Sequence, residues 1–414
     1  ASFGAVNPNR LSGYHDFPVQ YGQSRAKLEK VLFGGLPANS LKSMHPRNEK
    51  FVALQQELAV LEEAKDDLVD LRTDIFIKPG RAHDELPNVV AAIKLRASED
   101  LLAKHEEFFA NYAGGVEYTK DIQKVVKDYQ REAGLGPDGI IGPNTATKLA
   151  GLSSNKKTTQ VKLAMERLRW HPHDLGKRHV FINQPEYRAR YISNGKEELS
   201  MRVVVGKKSN QTNFFYDEIE HVVYNPYWGV PRSIIVNEFA PKSLGNPGYL
   251  DQKGYEITNA SGQKISSSSI DWYGVSEYPN FNVRQPPGSK NALGELKIMF
   301  PNKHAIYMHD TPAKSLFKKQ HRAFSHGCVR LHDPRAMAAA VLGKTKKQIA
   351  ASISRGKNET EKLSVKVPVY VSYFTAWPQQ DGSVNYFNDM YGRDAHLLKA
   401  FDAVSKARQK DVLL

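Results

Sequence analysis

The segment AFSHGCVRL, residues 323–331, contains the single cysteine of this 414-residue chain, Cys328. One cysteine cannot form an internal disulfide, so in an oxidising compartment its thiol would stay free. A lone cysteine is commonly an inert buried residue that packs as a small hydrophobic side chain. Here four histidines and the cysteine fall within 25 positions, and this clustering favours a nucleophile.

A cysteine nucleophile needs a general base nearby. The segment AIYMHD, residues 305–310, has the alternation of a strand. Ile306 and Met308 then face the core, whereas Tyr307 and His309 face the other side, toward a site. His309, at the strand end, is therefore the predicted base. The other histidines of this region are His304, His321 and His326.

Acyl transfer also needs donors for an oxyanion. Gly327 permits a tight turn, and the amides of Gly327 and Cys328 are both predicted to point at the oxyanion. The Tyr307 hydroxyl is a further candidate donor. Arg330 shares the face of Cys328 if CVRL is a strand, where it would favour thiolate or bind a substrate carboxylate. We therefore expect a stabilised thiolate beside His309.

Three other interpretations compete with a cysteine nucleophile. A zinc site built from His309, His326 and Cys328 is disfavoured, because the spacing is irregular and lacks a paired HxxxH or CxxC. A papain-like protease is disfavoured because its cysteine precedes its histidine. Ordinary buried residues are not excluded by spacing alone.

The amino-terminal half has helical periodicity. Residues 1–76 are predicted to be a helical scaffold, since the apolar positions of 51–68 recur at spacings of three and four. In 77–152, two short helical patterns precede DGIIGPNT, residues 138–145, where Pro143 would begin a third helix. This pattern resembles the three-helix peptidoglycan-binding module of cell-wall enzymes. A generic three-helix unit is the alternative.

The segments after residue 152 are assigned from a change in hydrophobic periodicity, from that of helices to that of strands. Residues 153–177 are predicted to be a linker, SSNKKTTQ, and one helix. From 178 to 398 the period is that of strands. Within this region, 230–283 is rich in Pro, Gly, Ser and aromatic residues, which predicts a functional loop or lid. Residues 399–414 are assigned to a C-terminal tail.

Local capping signals mark two helices after the cysteine. Asp333 and Pro334 are predicted to begin the first and Gly343 to end it. Thr345 and Gln348 have the spacing of a capping box for the second.

The charge balance limits the possible partners. There are 58 basic and 44 acidic residues, a formal net charge of +14, which suits a polyanionic partner. The basic residues are scattered, without zinc-finger or RNA-binding spacing, so no nucleic acid partner is expected. No apolar run approaches the ~20 residues that span a bilayer. The start, ASFGAVNPNR, lacks an initiator Met and fits a mature exported chain.

Three motifs together resemble the catalytic signature of the L,D-transpeptidases of YkuD type: a histidine segment, about twenty residues, then Ser-His-Gly-Cys-x-Arg. They are NALGELKIMF (291–300), HAIYMHDTP (304–312) and RAFSHGCVRL (322–331). The similarity extends through MERLRWHP, RVVVGK and YNPYWGVP and covers roughly 160–395. With the neighbouring module, it is similar to the long, multidomain Gram-negative branch of the family.

This resemblance implies an α+β multidomain protein. A β-rich catalytic domain with a capping insertion at 230–283 would follow the helical scaffold and the peptidoglycan-binding module. It implies periplasmic action on peptidoglycan stem peptides and glycan, with no cofactor and no metal. Carbapenem β-lactams would be covalent inhibitors.

The resemblance also implies residue roles. Cys328 would attack the carbonyl between the third, D-centred diamino acid and the D-Ala at the fourth stem position. A side-chain amine of a second stem would resolve the thioester, giving a 3–3 cross-link. His309 would be the base, His326 and Ser325 would shape the pocket, and Arg284 would line the substrate cleft.

The sequence leaves three alternative functions open. An L,D-carboxypeptidase and an amidase of wall-anchored lipoprotein would use the same cysteine and histidine with water as acceptor. A wall-binding scaffold with a decayed site is the third. The shape of the cleft selects the acceptor, so the sequence signature does not separate these activities.

Overall fold

The computed structural model of the protein describes residues 4–18, 45–46, 48–63, 71–72, 75–150, 154–275 and 279–411, and positions 29 and 33. Within these residues the chain divides into two compact units. One unit combines 1–54 with 163–414, and the other comprises 55–162. Of the predicted scaffold, 1–76, much lies outside the described residues.

The helices begin and end at residues that favour those positions. The Asp333 side chain accepts from the Ala336 amide, Gly343 ends that helix with a φ of 67°, and Thr345 forms the predicted capping box with Gln348. The helices are α1 (Glu49–Glu63), α2 (Leu86–Arg96), α3 (Glu99–Lys104), α4 (Glu106–Asn111), α5 (Lys120–Glu132), α6 (Pro143–Ala150), α7 (Ser154–Trp170), α8 (Arg232–Ile234), α9 (Ala240–Gly245), α10 (Tyr249–Gln252), α11 (Pro334–Leu342), α12 (Lys346–Ser354) and α13 (Arg393–Asp411). A π-helical turn, Ile235–Phe239, connects α8 to α9.

The strands form one large sheet and two small ones. They are β1 (His15–Asp16), β2 (Arg178–Asn183), β3 (Arg188–Ser193), β4 (Lys196–Gly206), β5 (Phe214–Tyr224), β6 (Trp228–Gly229), β7 (Glu256–Asn259), β8 (Lys264–Ile265), β9 (Phe281–Gln285), β10 (Leu296–Met299), β11 (Met308–His309), β12 (Ala323–Ser325), β13 (Val329–Leu331), β14 (Glu359–Ser372), β15 (Ala376–Pro378) and β16 (Val384–Tyr386). The large sheet has the order β1-β5-β10-β11-β13-β4-β3-β2-β14, and β12 pairs with β4. Because β14 also pairs with β5, the sheet closes on itself.

The core of the large sheet lies on the face that the alternation predicts. Four residues, Ile306, Met308, Val329 and Leu331, belong to one buried cluster. The cluster also includes residues of β2–β5, β10, β14, α11 and α12. The core therefore fixes which side chains of β11 and β13 face the opposite side. The fold is the α+β, β-rich arrangement expected for the catalytic domain.

The helical unit, 55–162, has its own apolar core. Residues of α2, α5 and α6 contribute most of it, and Pro143 begins α6 as predicted. The buried Gln130 side chain holds the loop before α6: its Nε2 donates to Asp138 Oδ1 and to Ile140 O, each at 3.0 Å. Its Oε1 accepts from the Gly139 amide at 2.8 Å.

Three predicted segments differ from the structure. Ser154–Gln160, predicted as linker, are the first turns of α7, since this polar stretch contains neither Gly nor Pro. The boundary placed at 398/399 falls inside α13. The segment 230–283, predicted as a functional loop or lid, is not an irregular loop. It is folded: β6, β9, β7 and β8 pair in that order over a separate apolar core that includes Leu250, Ile257 and Trp272. Its apolar residues are spread over many short elements, so no period emerges in the sequence. A function as a lid stays a prediction.

No helix among the described residues has both the length and the apolar character that crossing a bilayer requires.

Candidate active site

Strand register brings the predicted catalytic residues onto one face of the sheet. β11 and β13 are parallel, with Met308 beside Val329, and both side chains are fully buried in the core. Successive residues of a strand alternate between faces, so the neighbours of this pair face the other side. These neighbours, here called the catalytic face, are Tyr307, His309, Cys328 and Arg330.

The Cys328 thiol is held close to β11. Its Sγ lies 3.6 Å from the carbonyl oxygen of Ala305. Burial raises the pKa of the thiol to about 11, although hydrogen bonds from the amide and hydroxyl of Tyr307 and the charge of Arg330 oppose that rise. The resting thiol is therefore protonated at neutral pH. This direction of the pKa runs against the expected stabilised thiolate, because the loss of solvation outweighs the neighbouring donors and cations.

His309 has a defined tautomer. Its Nδ1 lies 2.5 Å from the backbone oxygen of Asp310, and since a carbonyl only accepts, Nδ1 carries the proton. Nε2 then has a lone pair and no hydrogen-bond partner among the described residues. Burial, followed by the charge of Arg330, lowers the pKa of His309 to about 3. The neutral imidazole is thus oriented as a proton acceptor.

The carboxylate of Asp310 has separate partners. It forms an ion pair with Lys314 and accepts from the Glu295 amide at 3.0 Å. His309 is therefore oriented by the backbone of Asp310 and not by its carboxylate.

The loop before Cys328 offers one amide to an oxyanion. The Gly327 amide donates to Ser325 Oγ at 3.1 Å, so the expectation that it points at the oxyanion is wrong for this conformation. The Gly327 carbonyl accepts from Thr212 Oγ1 at 2.7 Å. In a trans peptide the N–H points opposite to the C=O, so the Cys328 amide is directed away from Thr212, and it has no acceptor within the described chain.

Ser325 and Gly327 shape this loop. Ser325 Oγ donates to the Cys328 carbonyl at 2.6 Å while accepting from Gly327. Gly327 has a φ of 118°, a conformation that strongly favours glycine. Both residues thus act on the backbone around Cys328.

His326 and Arg284 contact the insertion instead of the catalytic face. His326 Nε2 lies 2.8 Å from Glu238 Oε1, in the π-helical turn of the insertion. Arg284 Nε lies 2.6 Å from Glu256 Oε2, and its guanidinium carbon is 4.5 Å from the centre of the Tyr227 ring. Among described residues, neither has a recorded contact with Cys328 or His309.

Sequence reasoning missed two residues of the site. Lys297 pairs with His309 across β10 and β11, and its Nζ is 5.6 Å from the centre of the Tyr307 ring. The alternation of LKIM, with Leu296 and Ile298 in the core, could have found it. Thr212 lies 115 positions from Gly327, and no local pattern marks it.

The described residues contain no group of three or more His, Cys, Asp or Glu side chains that could hold a metal ion.

Comparisons with known proteins identify two similar regions of the chain. Residues 177–370 match the family described as "L,D-transpeptidase catalytic domain" (YkuD), and residues 111–149 match "Putative peptidoglycan binding domain". The chain is 34% identical over 236 residues to a "Putative L,D-transpeptidase" of Haemophilus influenzae, which covers 56% of this chain and 48% of that protein. The chain therefore spans about half the length of this curated relative.

Solved structures of the same class are distant. An L,D-transpeptidase of Mycobacterium smegmatis is 13% identical, with 47% of this chain and 58% of that chain covered and a TM-score of 0.22. An L,D-transpeptidase mutant of Enterococcus faecium is 11% identical, with 64% and 85% covered and a TM-score of 0.23.

The two family matches lie in separate parts of the chain, one to an L,D-transpeptidase catalytic domain and one to a putative peptidoglycan binding domain. Residues 177–370 of this chain are therefore similar to the catalytic domain of the YkuD-type L,D-transpeptidases.

Proposed function

We propose that this protein forms 3–3 cross-links in peptidoglycan through a thioester on Cys328. The observation that supports it most directly is the strand register, which places Cys328, His309 and Tyr307 on one face. The tautomer of His309, with Nδ1 bound to the Asp310 carbonyl, leaves Nε2 as the base. The donor would be a tetrapeptide stem ending in D-Ala.

Acylation would begin from two neutral groups. Since the resting thiol and imidazole are both uncharged, His309 Nε2 takes the Sγ proton as the sulfur attacks the carbonyl of the third stem residue. The oxyanion then accepts hydrogen bonds from the Cys328 amide and the Tyr307 hydroxyl. When the C–N bond breaks, the imidazolium returns its proton to the leaving D-Ala nitrogen, and the thioester remains on Cys328.

Deacylation would run the same steps with a new nucleophile. A side-chain amine of a second stem enters where D-Ala left and attacks the thioester carbon. His309 accepts a proton from that amine and returns it to the departing sulfur. The product is an amide between the third residues of two stems, and the thiol is restored.

The module matched at 111–149 supports binding of this substrate in the wall. We infer that 77–152 binds peptidoglycan and does no chemistry, because it contains no cysteine. A peptidoglycan substrate implies that the protein acts in the periplasm. Removal of 77–152 should weaken co-sedimentation with intact walls, and unchanged sedimentation would identify the segment as structural.

Mass spectrometry of purified disaccharide tetrapeptides incubated with the protein tests the proposed reaction. A cross-linked dimer with loss of D-Ala is the expected product, and Cys328→Ala should form none. A trimmed tripeptide without dimer would instead identify an L,D-carboxypeptidase. With wall fragments that carry an attached lipoprotein as a second substrate, release of the lipoprotein would identify an amidase. No change in either substrate would leave a binding scaffold.

Covalent inhibition follows from the same chemistry. The strained carbonyl of a carbapenem would occupy the donor position and leave a thioester on Cys328. Intact-protein mass spectrometry should show one adduct per chain, absent in Cys328→Ala. An adduct that persists in that variant would contradict the assignment of the nucleophile.

A further inference from the structure

Two cationic side chains flank His309 on the catalytic face. The antiparallel register pairs Lys297 of β10 with His309, and the parallel register pairs His309 with Arg330 of β13. Neighbouring strands lie about 4.8 Å apart. Lys297, His309 and Arg330 therefore form one row across three strands. Lys297 and Arg330 are called the cation pair below.

The cation pair lacks counter-ions. Neither Lys297 nor Arg330 has an ion pair within the part of the chain that the structure describes, and the buried Nε of Arg330 has no hydrogen-bond partner there. The nearby carboxylates have other partners: Asp310 pairs with Lys314, Glu295 with Arg335 and Asp333 with Lys346. Two buried arginines of this unit have carboxylate partners, Arg167 with Asp394 at 2.6 Å and Arg190 with Glu186 at 2.5 Å. A third, Arg393, donates to Gln211 Oε1 and to the Thr212 carbonyl.

Burial makes this absence costly. Desolvation lowers the pKa of both Lys297 and Arg330, and a negative charge on Cys328 would oppose the shift in each case. The Lys297 ammonium lies 5.6 Å from the centre of the Tyr307 ring. Two partly desolvated cations beside a nucleophile favour the binding of an anion. The four residues of the catalytic face supply no anionic group in the resting state.

We propose that the cation pair binds a carboxylate of the donor stem, which makes Lys297 a specificity-determining residue. This inference rests on the proposed transpeptidase function. The terminal carboxylate of the leaving D-amino acid is the assigned ligand, because it is attached to the α-carbon next to the scissile nitrogen. With the scissile carbonyl over Cys328, that carboxylate stays within reach of the adjacent row. The side-chain carboxylate of the third stem residue has the same chemistry but lies farther along the stem.

Carboxylate binding would also assist the proton transfer. Arg330 and Lys297 both disfavour a charged His309, whereas the Asp310 carbonyl and carboxylate favour it. An anion between the two cations would offset their repulsion when His309 accepts the thiol proton. A donor with a free carboxylate would then both bind and react better than its amide.

Binding measurements on several variants, each with several tetrapeptides, test this proposal in a protein that cannot convert the substrate. In a Cys328→Ala background, calorimetry would compare tetrapeptides with both carboxylates free, with the terminal carboxylate amidated, or with the third-residue carboxylate amidated. Lys297→Met removes the charge at similar length, Lys297→Arg retains it, and Lys303→Met is an exposed control whose partner is Asp16. Thermal unfolding would check that each variant folds.

Terminal amidation should weaken binding to the protein with Lys297 by roughly 10- to 150-fold, the range for a charge-assisted hydrogen bond. Lys297→Met should weaken binding of the free acid by a similar factor, and terminal amidation should then weaken binding little further. Lys297→Arg should retain most of the preference for the free acid over the amide. Equal losses for acid and amide would overturn the proposal. Discrimination that follows the third-residue carboxylate would overturn the assigned ligand.

The result is separable from the proposed function. Carbapenem acylation and dimer formation, measured with Cys328 present, report on the transpeptidase itself. If binding follows the predicted pattern but no donor is converted, the proposed function fails while the carboxylate site stands.

Discussion

The carboxylate of Glu238 lies 2.8 Å from the imidazole Nε2 of His326, and this contact joins the folded insertion to the loop that carries Cys328. Glu238 belongs to the π-helical turn 235–239, and His326 directly precedes Gly327. The side chain of His326 is 34% exposed and that of Glu238 is 40% exposed. An exposed contact of this kind contributes at most about 1 kcal/mol, so it can open and close without unfolding the insertion core.

Glu238→Gln should release the insertion from the catalytic loop. We expect faster hydrogen exchange in 235–239 and 326–328 and unchanged exchange in β4, because only the first two segments depend on this contact. Glu256→Gln is the matched control, since Glu256 pairs with Arg284 inside the insertion sheet. Slow exchange throughout the insertion in both variants would argue against a movable cap.

The two histidines near Cys328 should differ in their effect on acylation. His309→Ala removes the base, so carbapenem adduct formation should slow by ~10²–10⁴-fold. His326→Ala removes a contact with Glu238 and leaves Nε2 of His309 in place, so the loss should stay below about tenfold on the same scale. Time-resolved intact-mass measurements give both rates. A larger loss in His326→Ala than in His309→Ala would refute the assignment of the base.

Thr212 should act through the backbone of Gly327. Its buried hydroxyl donates to the Gly327 carbonyl at 2.7 Å and accepts from the Gly206 amide at 2.9 Å. Thr212→Val keeps the shape, leaves both groups unpaired and should cost about 1–3 kcal/mol of stability. If the Gly327 carbonyl also directs the Cys328 amide, adduct formation should slow as well.

Thr212→Ser provides the matched comparison, because it retains the hydroxyl and should restore both properties. Urea unfolding measures the stability, and adduct formation measures the site. A stability loss in Thr212→Val at an unchanged adduct rate would mean that Thr212 is structural only.

The sequence was most informative where the apolar alternation of a strand included a residue suited to catalysis. Alternation in AIYMHD identified the face of His309, and the same reasoning applied to LKIM would have found Lys297. Sequence reasoning did not predict the hydrogen bonds that form inside the tight loop before Cys328. The Gly327 amide was assigned to the oxyanion, but Ser325 Oγ, two positions earlier, accepts from it.

Long-range pairing could not be read from local patterns. The parallel pairing of β11 with β13 decides the site, and nothing in either short strand specifies that partner. The insertion illustrates the same limit, since its core unites Val230, Leu250 and Val283 from elements of a few residues each. Thr212 contacts Gly327 only because β4 and β13 are neighbours in the folded sheet.

The resting protonation of the site gives a last prediction, in which two reactions of Cys328 depend differently on pH. Alkylation by iodoacetamide requires thiolate, and with a thiol pKa of about 11 its rate should rise about tenfold per unit between pH 8 and 10. An ordinary thiol of pKa about 8.5 would gain less than about twofold from pH 9 to 10. Acylation by a carbapenem instead uses the neutral thiol with neutral His309.

Those neutral forms predominate from above about pH 3, where His309 loses its proton, to below about pH 11, where Cys328 loses its own. The rate of acylation should therefore change little between pH 6 and 9, in contrast to the ~tenfold rise per pH unit expected for the rate of alkylation. Because Cys328 is the only cysteine, intact-mass measurements report both reactions at one atom. Tyr307→Phe should slow alkylation, since the hydroxyl lowers the thiol pKa. An alkylation plateau at or below pH 8.5 would show that the resting site contains the thiolate–imidazolium pair after all.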